Sequence, residues 1–317
     1  MTSKMLKEAC SSAEFVAQQL SLDGERYVAL GKHLRDNPPS AILTVARGSS
    51  DHAASYAAYL IMARLGRIVA SLPMSLVTLN KSPLHAQNAL AIAISQSGQS
   101  PDVVEPIRYF REGGATTVAS PLGQSAEWTM PLHAGPELSV AATKSFITSL
   151  VAGARLAGHW QNDAEFLSAI EQLPEALEAA TKVDWSNALD VLAPSSRIMV
   201  VGRGISFPVA LESALKFKET SVIQAEAFSG AEIKHGPMAL IDDGYPLLIF
   251  ATRGPTQAGL ISLAEEMRGR GANVLLAAPS DVSERNLTLP ITATPDLDPI
   301  AAIQAFYVMA ANLSIAR

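Results

Sequence analysis

The sequence contains one cysteine, Cys10, among its 317 residues. A single thiol excludes an internal disulfide framework and a metal cluster held by cysteines. Charged residues are also scarce, at 17%, and the formal net charge is -6. Because binding to duplex nucleic acid requires a basic surface, this charge argues against a nucleic-acid-binding protein.

Histidines are few, and no two of them have the spacing of metal ligands. They are His33, His52, His85, His133, His159 and His235. The sequence therefore predicts no metal site, and nothing in it calls for a cofactor.

Long uninterrupted apolar runs are missing as well. The first twenty residues form an amphipathic helical pattern without the apolar core of a secretory signal, and the most apolar later stretch, 139–160, contains Lys144 and Arg155. We therefore expect no membrane span and a cytoplasmic location. Hydrophobic residues make up 48% of the chain, and this length and composition predict about two domains, each with a sizeable core.

Short apolar runs followed by helical patterns indicate an α/β fold. The runs 42–46 and 90–94 each end in a loop of small residues, and helical stretches follow from Asp51 and from about Pro101. Further strands are expected at 115–119 and 128–133, and a helix from just after Glu137 to about Gly158. Strands that alternate with helices predict a parallel sheet covered by helices on both faces.

The two small-residue loops lie where ligands bind in such sheets, at the carboxyl ends of strands. One contains Ser50, and the other runs from Ser95 to Ser100. Free N–H groups at a helix N-terminus and serine hydroxyls suit a phosphate group. The alternative is that each loop is an ordinary turn with a serine cap.

The pattern repeats along the chain. Arg47-Gly48 and Arg203-Gly204 are separated by 156 positions, as are Gly98 and Gly254. We therefore predict two tandem α/β domains, each a doubly wound, flavodoxin-like parallel sheet flanked by helices. Residues 1–165 would form the N-terminal helices and the first domain, 166–195 a helical linker, and 196–317 the second domain. The phosphate loop lies in the first domain, and the acid–base chemistry is expected in the second.

The stretch 211–242 concentrates ionisable residues. Glu212, Lys216 and Glu219 share one helical face by their spacing, and His235 lies in a second helical pattern that ends at Gly236-Pro237. Carboxylates and a histidine among apolar neighbours suit proton transfer. The alternative is a pair of amphipathic helices whose charges face water.

This stretch closely resembles the isomerase half of the glutamine–fructose-6-phosphate amidotransferases, which is built from sugar isomerase (SIS) domains. The matching segments are Ala210-Leu211-Glu212, Ala214-Leu215-Lys216, Lys218-Glu219, Ala225-Glu226-Ala227 and Glu232-Ile233-Lys234-His235-Gly236-Pro237. A second family segment is matched between Gly135 and Phe146, where Ala142 replaces the family serine.

The resemblance implies a role for each matching residue. The phosphate would be bound by Ser95, Gln96, Ser97 and Ser100, and the sugar would be contacted by Ser50, Glu137 and Val140. Glu219 would move a proton between C1 and C2, with Lys216 near the reacting carbons. His235 would open the sugar ring in the neighbouring subunit, which implies a homodimer with a shared active site.

Two departures from the amidotransferases affect the predicted reaction. Thr2 follows Met1 where their glutaminase cysteine would be, and the sequence ends at Arg317, before the family's tail lysine. The resemblance is closest to SIS-type glucosamine-6-phosphate deaminases, which form fructose-6-phosphate and ammonia. The alternatives are an enzyme acting on galactosamine-6-phosphate or on a 6-phosphorylated fructosyl amino acid, and a sugar-phosphate sensor without catalysis.

Overall fold

The computed structural model describes residues 3–95, 100–120 and 125–317. Their packing defines two compact units, neither of which is continuous in sequence. The N-unit consists of Phe15–Gly135 and Thr148–Glu171. The C-unit consists of the described residues up to Glu14, Pro136–Ile147 and Gln172–Arg317. The boundaries predicted above follow the motifs along the chain and stay a prediction, whereas these units follow the packing.

The chain begins with three helices where one or two were expected, and continues through the elements of the first sheet. In chain order these are α1 (Lys4–Cys10), α2 (Ser12–Ser21), α3 (Gly24–Asp36), β1 (Ala41–Val45), α4 (Ser49–Leu65), β2 (Val69–Ser71), α5 (Ser75–Thr78), β3 (Ala89–Ile94), α6 (Pro101–Glu112), β4 (Thr116–Ser120), β5 (Trp128–Thr129), α7 (Lys144–Gln161) and α8 (Ala164–Glu171). The sheet of the N-unit is parallel, with the order β2-β1-β3-β4-β5.

The remaining elements form the second sheet and its helices. They are α9 (Leu173–Ala180), α10 (Asn187–Leu192), β6 (Arg197–Gly202), α11 (Phe207–Ser221), β7 (Gln224–Ser229), β8 (Pro246–Phe250), α12 (Gln257–Gly269), β9 (Asn273–Ala278), β10 (Leu287–Thr288) and α13 (Asp298–Ala316). Short 3₁₀ helices lie at Gly204–Ser206, Glu232–His235, Pro237–Leu240 and Pro295–Leu297. The parallel sheet of the C-unit has the order β7-β6-β8-β9-β10.

The two sheets have the same strand order. In each, the second strand of the unit lies at one edge beside the first strand, and the third, fourth and fifth strands follow on the other side of the first. This is the flavodoxin-like order 2-1-3-4-5. The central strands β3 and β8 are buried at every position, as expected for parallel strands covered on both faces. The predicted α/β fold with two parallel sheets is therefore confirmed.

Two of the expected elements have different bounds. The strand expected at 128–133 pairs only at Trp128–Thr129, because Pro131 has no N–H group to donate to a neighbouring strand. The helix expected after Glu137 begins only at Lys144, and 136–143 is irregular. The strand β2 was not predicted, and its three residues are half-buried or exposed at the sheet edge.

One helical stretch, Pro295–Ala316, is long and apolar enough to cross a membrane. Within the structure 72% of its most apolar window is buried. A buried core helix can have the same length and hydropathy, so this stretch alone is weak evidence for a membrane span. Its buried residues include Gln304, whose side-chain amide donates a hydrogen bond to the carbonyl oxygen of Ala9 (2.9 Å) in α1.

Candidate active site

The charged face of α11 is buried. Glu212, Lys216 and Glu219 lie on one side of the helix, as their spacing predicts. The ammonium nitrogen of Lys216 is 3.2 Å from Oε1 of Glu212 and 2.6 Å from Oε2 of Glu219. The side chains of Glu212 and Lys216 are 0% and 1% exposed, whereas that of Glu219 is 33% exposed. The alternative in which these charges face water is therefore wrong for Glu212 and Lys216.

This arrangement leaves Glu219 as the group of the three that solvent or a ligand can reach. A buried ammonium requires paired charges, because its desolvation in an apolar interior is costly. Glu212 supplies one negative charge deep in the core and Glu219 supplies the other at its edge. The ion pair with the buried Lys216 therefore fixes the partly exposed carboxylate of Glu219 in a defined position on α11.

A residue outside the predicted site completes the buried network. The hydroxyl of Tyr307, on α13, donates a hydrogen bond to Oε1 of Glu212 (3.1 Å). Burial, followed by the negative charge of Glu212, raises the pKa of Tyr307 well above the usual value for a phenol. The hydroxyl therefore stays protonated and available as a donor to Glu212.

Glu137 caps a helix. Its Oε1 accepts hydrogen bonds from the backbone N–H groups of Thr143 and Lys144, both at 2.7 Å, and its Oε2 accepts one from the hydroxyl of Ser145 at 2.5 Å. These donors lie at the start of α7, where N–H groups have no partner within the helix. A contact of the Glu137 carboxylate with a sugar stays a prediction, and the hydrogen bonds to α7 explain this side chain without it.

A cleft of about 440 Å³ lies within the C-unit, and it brings Val140 together with Glu219. Val140 is 99% exposed. The lining residues are Ser3, Lys4, Met5, Leu138, Ser139, Val140, Ala141, Glu219, Thr220, Ala311 and Ser314. Two residues that were predicted separately, one for sugar contact and one for proton transfer, thus share a concave surface with several hydroxyl groups.

His235 lies apart from this cleft. It is exposed, at the end of the 3₁₀ helix Glu232–His235, and it is not among the residues that line the cleft. Its neighbour Lys234 forms an ion pair with Glu266 of α12 (2.5 Å), which holds this turn against the C-unit. The role of His235 in a neighbouring subunit stays a prediction.

In the N-unit, the described serines of the predicted phosphate site follow two neighbouring strands. Ser50 is the second residue of α4, directly after β1, and Ser95 follows β3. Gly48, with φ of 56°, turns the chain from β1 into α4, and this left-handed conformation favours glycine. Ser100 is the N-cap of α6. Gln96 and Ser97 lie outside the described residues.

Sequence reasoning missed the role of Tyr307 and found that of Glu212 only as part of a spacing pattern. Tyr307 lies 95 positions after Glu212, so no local pattern connects them. The only signal was that Tyr307 is a polar side chain within a strongly apolar helix, which suggests that its hydroxyl has a buried partner.

Comparisons with known proteins identify the family of this chain. The SIS domain model matches residues 37–157 and 191–309. The glutamine–fructose-6-phosphate aminotransferase of Zymomonas mobilis is 34% identical over 74% of this chain, which spans 41% of that relative's length.

Solved structures show the same fold over nearly the whole chain. A Silicibacter pomeroyi protein assigned as a phosphosugar isomerase has a TM-score of 0.94 at 37% identity, covering 99% of this chain and 98% of its own. A Thermotoga maritima glucosamine-6-phosphate deaminase has a TM-score of 0.78 at 23% identity, covering 99% and 95%. The chain belongs to the SIS domain family and is a homologue of phosphosugar isomerases.

Proposed function

We propose that this chain is a glucosamine-6-phosphate deaminase, which isomerises and hydrolyses glucosamine-6-phosphate to fructose-6-phosphate and ammonia. The observation that carries the proposal is the partly exposed carboxylate of Glu219. It lines a cleft within the C-unit and is bound by the buried Lys216 at 2.6 Å. A carboxylate held in this way suits the transfer of a proton between adjacent carbons.

The reaction would begin with ring opening of the sugar, assisted by His235. Glu219 would then remove the proton from C2, which gives an enolamine, and return it to C1. The product is an imine at C2, and water hydrolyses it to the ketose phosphate and ammonia. Lys216 is buried, so it would act near the reacting carbons through Glu219, whose carboxylate it holds at 2.6 Å beside them.

The phosphate would be bound within the N-unit. Ser50 and Ser95 follow neighbouring parallel strands, and Ser100 occupies the N-cap position of α6 without a side-chain capping hydrogen bond, so the described part of the loop supports this role. We include Gln96 and Ser97 with them on the resemblance alone. Backbone N–H groups and the helix dipole make a helix N-terminus an anion-binding site, so such a site can hold a phosphate although the net charge of the chain is -6.

The names of the relatives support an amino-sugar phosphate as substrate. The Zymomonas mobilis relative is named for fructose-6-phosphate amination with isomerisation, and the Thermotoga maritima protein, which shares the fold, is named for glucosamine-6-phosphate deamination. Both names combine a six-carbon sugar 6-phosphate with the gain or loss of an amino group. We further propose a cytoplasmic homodimer in which His235 serves the partner subunit.

The test is a metal-free assay of the purified protein with glucosamine-6-phosphate. Ammonia and fructose-6-phosphate released in a 1:1 ratio would support the proposal, and Glu219→Gln should abolish turnover while substrate binding is retained. If the protein instead releases ammonia only from galactosamine-6-phosphate, or a free amino acid only from a 6-phosphorylated fructosyl amino acid, that compound is its substrate. Binding without turnover of any of these sugars would instead indicate a sensor.

The shared site has its own test. Glu219→Gln and His235→Ala dimers, each inactive, should recover part of the activity when they are mixed and exchange subunits, because some mixed dimers then carry one intact site. If subunit exchange is demonstrated and no activity returns, His235 does not act across the dimer.

A further inference from the structure

The cleft wall beside Glu219 is formed by a stretch of irregular backbone whose middle is exposed. Residues 136–143 contain neither helix nor strand. Leu138 is 71% exposed and Val140 is 99% exposed. Because burial contributes little at these two positions, the conformation of the stretch depends on where its backbone N–H groups find partners.

One partner is Glu8 on α1. Its Oε1 accepts a hydrogen bond from the N–H of Leu138 at 2.5 Å. The N–H of Ser139 is shared between the two carboxylate oxygens, at 3.2 Å from Oε2 and 3.3 Å from Oε1. The side chain of Glu8 is buried, with 9% of the residue exposed. Hydrogen bonds from N–H groups to a carboxylate are about twice as strong as those between neutral groups.

The helix that carries Glu8 is itself fixed. Met5 and Ala9 of α1 are buried, and Gln304 of α13 donates a hydrogen bond to the carbonyl oxygen of Ala9. Glu8 therefore presents its carboxylate from a rigid element of the C-unit.

A second carboxylate holds the other end of the stretch. Glu137 accepts the N–H groups of Thr143 and Lys144. Between the two anchored ends lie Val140 and Ala141, which line the cleft together with Glu219. The backbone of the cleft wall is thus bound at both ends by carboxylates, only one of which the sequence reasoning had singled out.

We propose that Glu8 is a positioning residue of this cleft. Its hydrogen bonds to the N–H groups of Leu138 and Ser139 set the backbone of 138–140 beside Glu219, and they thereby determine how tightly a sugar phosphate binds there. The effect on turnover rests on the proposed function. The effect on the backbone does not, because it follows from the hydrogen bonds of Leu138 and Ser139.

The kinetic test compares Glu8→Ala, Glu8→Gln and the control Glu14→Ala, which removes an exposed carboxylate from α2. Glu8→Ala should raise KM for glucosamine-6-phosphate about tenfold or more with kcat changed less than about threefold, as expected for lost binding rather than lost chemistry. Glu8→Gln keeps one acceptor oxygen and should raise KM only about two- to threefold. Glu14→Ala should leave both constants unchanged.

Hydrogen exchange tests the same idea without a substrate. In Glu8→Ala the amides of Leu138 and Ser139 should exchange at least about tenfold faster, whereas those of Thr143 and Lys144 keep their partner in Glu137. In Glu8→Gln the amide group replaces Oε2, so the N–H of Ser139 loses its 3.2 Å bond and keeps only the 3.3 Å bond to Oε1, while the N–H of Leu138 keeps its acceptor. Ser139 should therefore exchange faster than in the wild type, though less so than in Glu8→Ala, and Leu138 should not. If Glu8→Ala does not fold, the exchange rates of the Leu138 and Ser139 amides in Glu8→Gln still test whether Glu8 holds this backbone.

The outcomes separate the two proposals. Unchanged exchange at Leu138 and Ser139 would overturn the role of Glu8 in holding the backbone, and faster exchange with unchanged KM would overturn its effect on binding. If the wild-type protein turns over none of the sugar phosphates, the proposed function fails, while the exchange measurement still tests the backbone arrangement.

Discussion

Replacing Tyr307 with phenylalanine tests the buried network of Tyr307, Glu212 and Lys216. The substitution removes one hydroxyl, which donates to Oε1 of Glu212 at 3.1 Å, and leaves the ring in place. Phe146 packs edge-to-face against this ring, with the centroids 6.3 Å apart, and phenylalanine preserves that contact. The change therefore isolates one hydrogen bond to a buried carboxylate.

The expected loss follows from the charge and burial of the acceptor. A hydrogen bond to a charged group contributes about 1.5–3 kcal/mol. Glu212 keeps Lys216 at 3.2 Å, so its carboxylate retains a partner and the middle of that range applies. We expect Tyr307→Phe to lower the free energy of unfolding by about 2 kcal/mol, which is roughly a 30-fold change in the folding equilibrium.

Urea unfolding followed by tryptophan fluorescence measures this loss. Trp185 belongs to the C-unit, and its indole N–H donates to the carbonyl oxygen of Thr288 (2.9 Å), so its emission reports on this unit. Replacing Trp128 and Trp160 with phenylalanine in every protein compared makes Trp185 the only source of the signal.

Thr252→Val is the matched control, because Thr252 belongs to the same unit as Trp185 and Tyr307. The hydroxyl of Thr252 is buried, and among the described residues it has no hydrogen-bond partner, so its removal should change the stability by less than about 0.5 kcal/mol or increase it. A loss below about 0.5 kcal/mol for Tyr307→Phe would refute the reasoning, since the phenol would then not stabilise Glu212.

Three further substitutions have defined outcomes. Lys216→Met leaves Glu212 buried without its ammonium and should destabilise the protein by about 3 kcal/mol or more, measured by urea unfolding, and abolish turnover. Val222 is a β-branched residue with φ of 53° and is 85% exposed, so Val222→Gly should raise the free energy of unfolding by about 0.5–1 kcal/mol; a decrease would contradict the assigned strain. Burial, with the charges of neighbouring arginines, lowers the pKa of His159 from 6.5 to about 4. The unfolded chain therefore binds a proton in this window that the folded chain does not, so stability rises with pH from about 4 to 6.5 and its full value is reached above that range. His159→Gln should flatten the rise in unfolding free energy measured across these pH values, and His85→Gln, at an exposed position, should not.

Local sequence patterns predicted the elements well where short-range physics decides them. The strands at 42–46, 90–94 and 115–119 were found to within one residue, because buried parallel strands are short, continuous apolar runs. The charged face of α11 followed from the helical repeat of 3.6 residues. The repeat of 156 positions predicted two similar domains, and their identical strand orders confirm it.

Elements that depend on single polar contacts were predicted less well. The start of α7 was placed too early because residues after Gly135 have helical composition, whereas the carboxylate of Glu137 caps the helix at Lys144. The strand β2 was missed because its three residues form an edge and carry no apolar run. The start of α7 depends on the carboxylate of Glu137, and β2 depends on its pairing with β1, so in both cases a hydrogen-bond partner outside the local sequence pattern sets the boundary.

The sequence by itself determined the α/β fold, the internal repeat and the helix that carries Glu219, since periodicity and apolar runs are local properties of a chain. Tertiary structure alone decided that Tyr307 supports Glu212, across 95 positions, and that Glu8 holds Leu138, across 130. Such pairs form only when buried polar groups must find partners in a packed core, and no spacing in the sequence encodes which partner lies nearby.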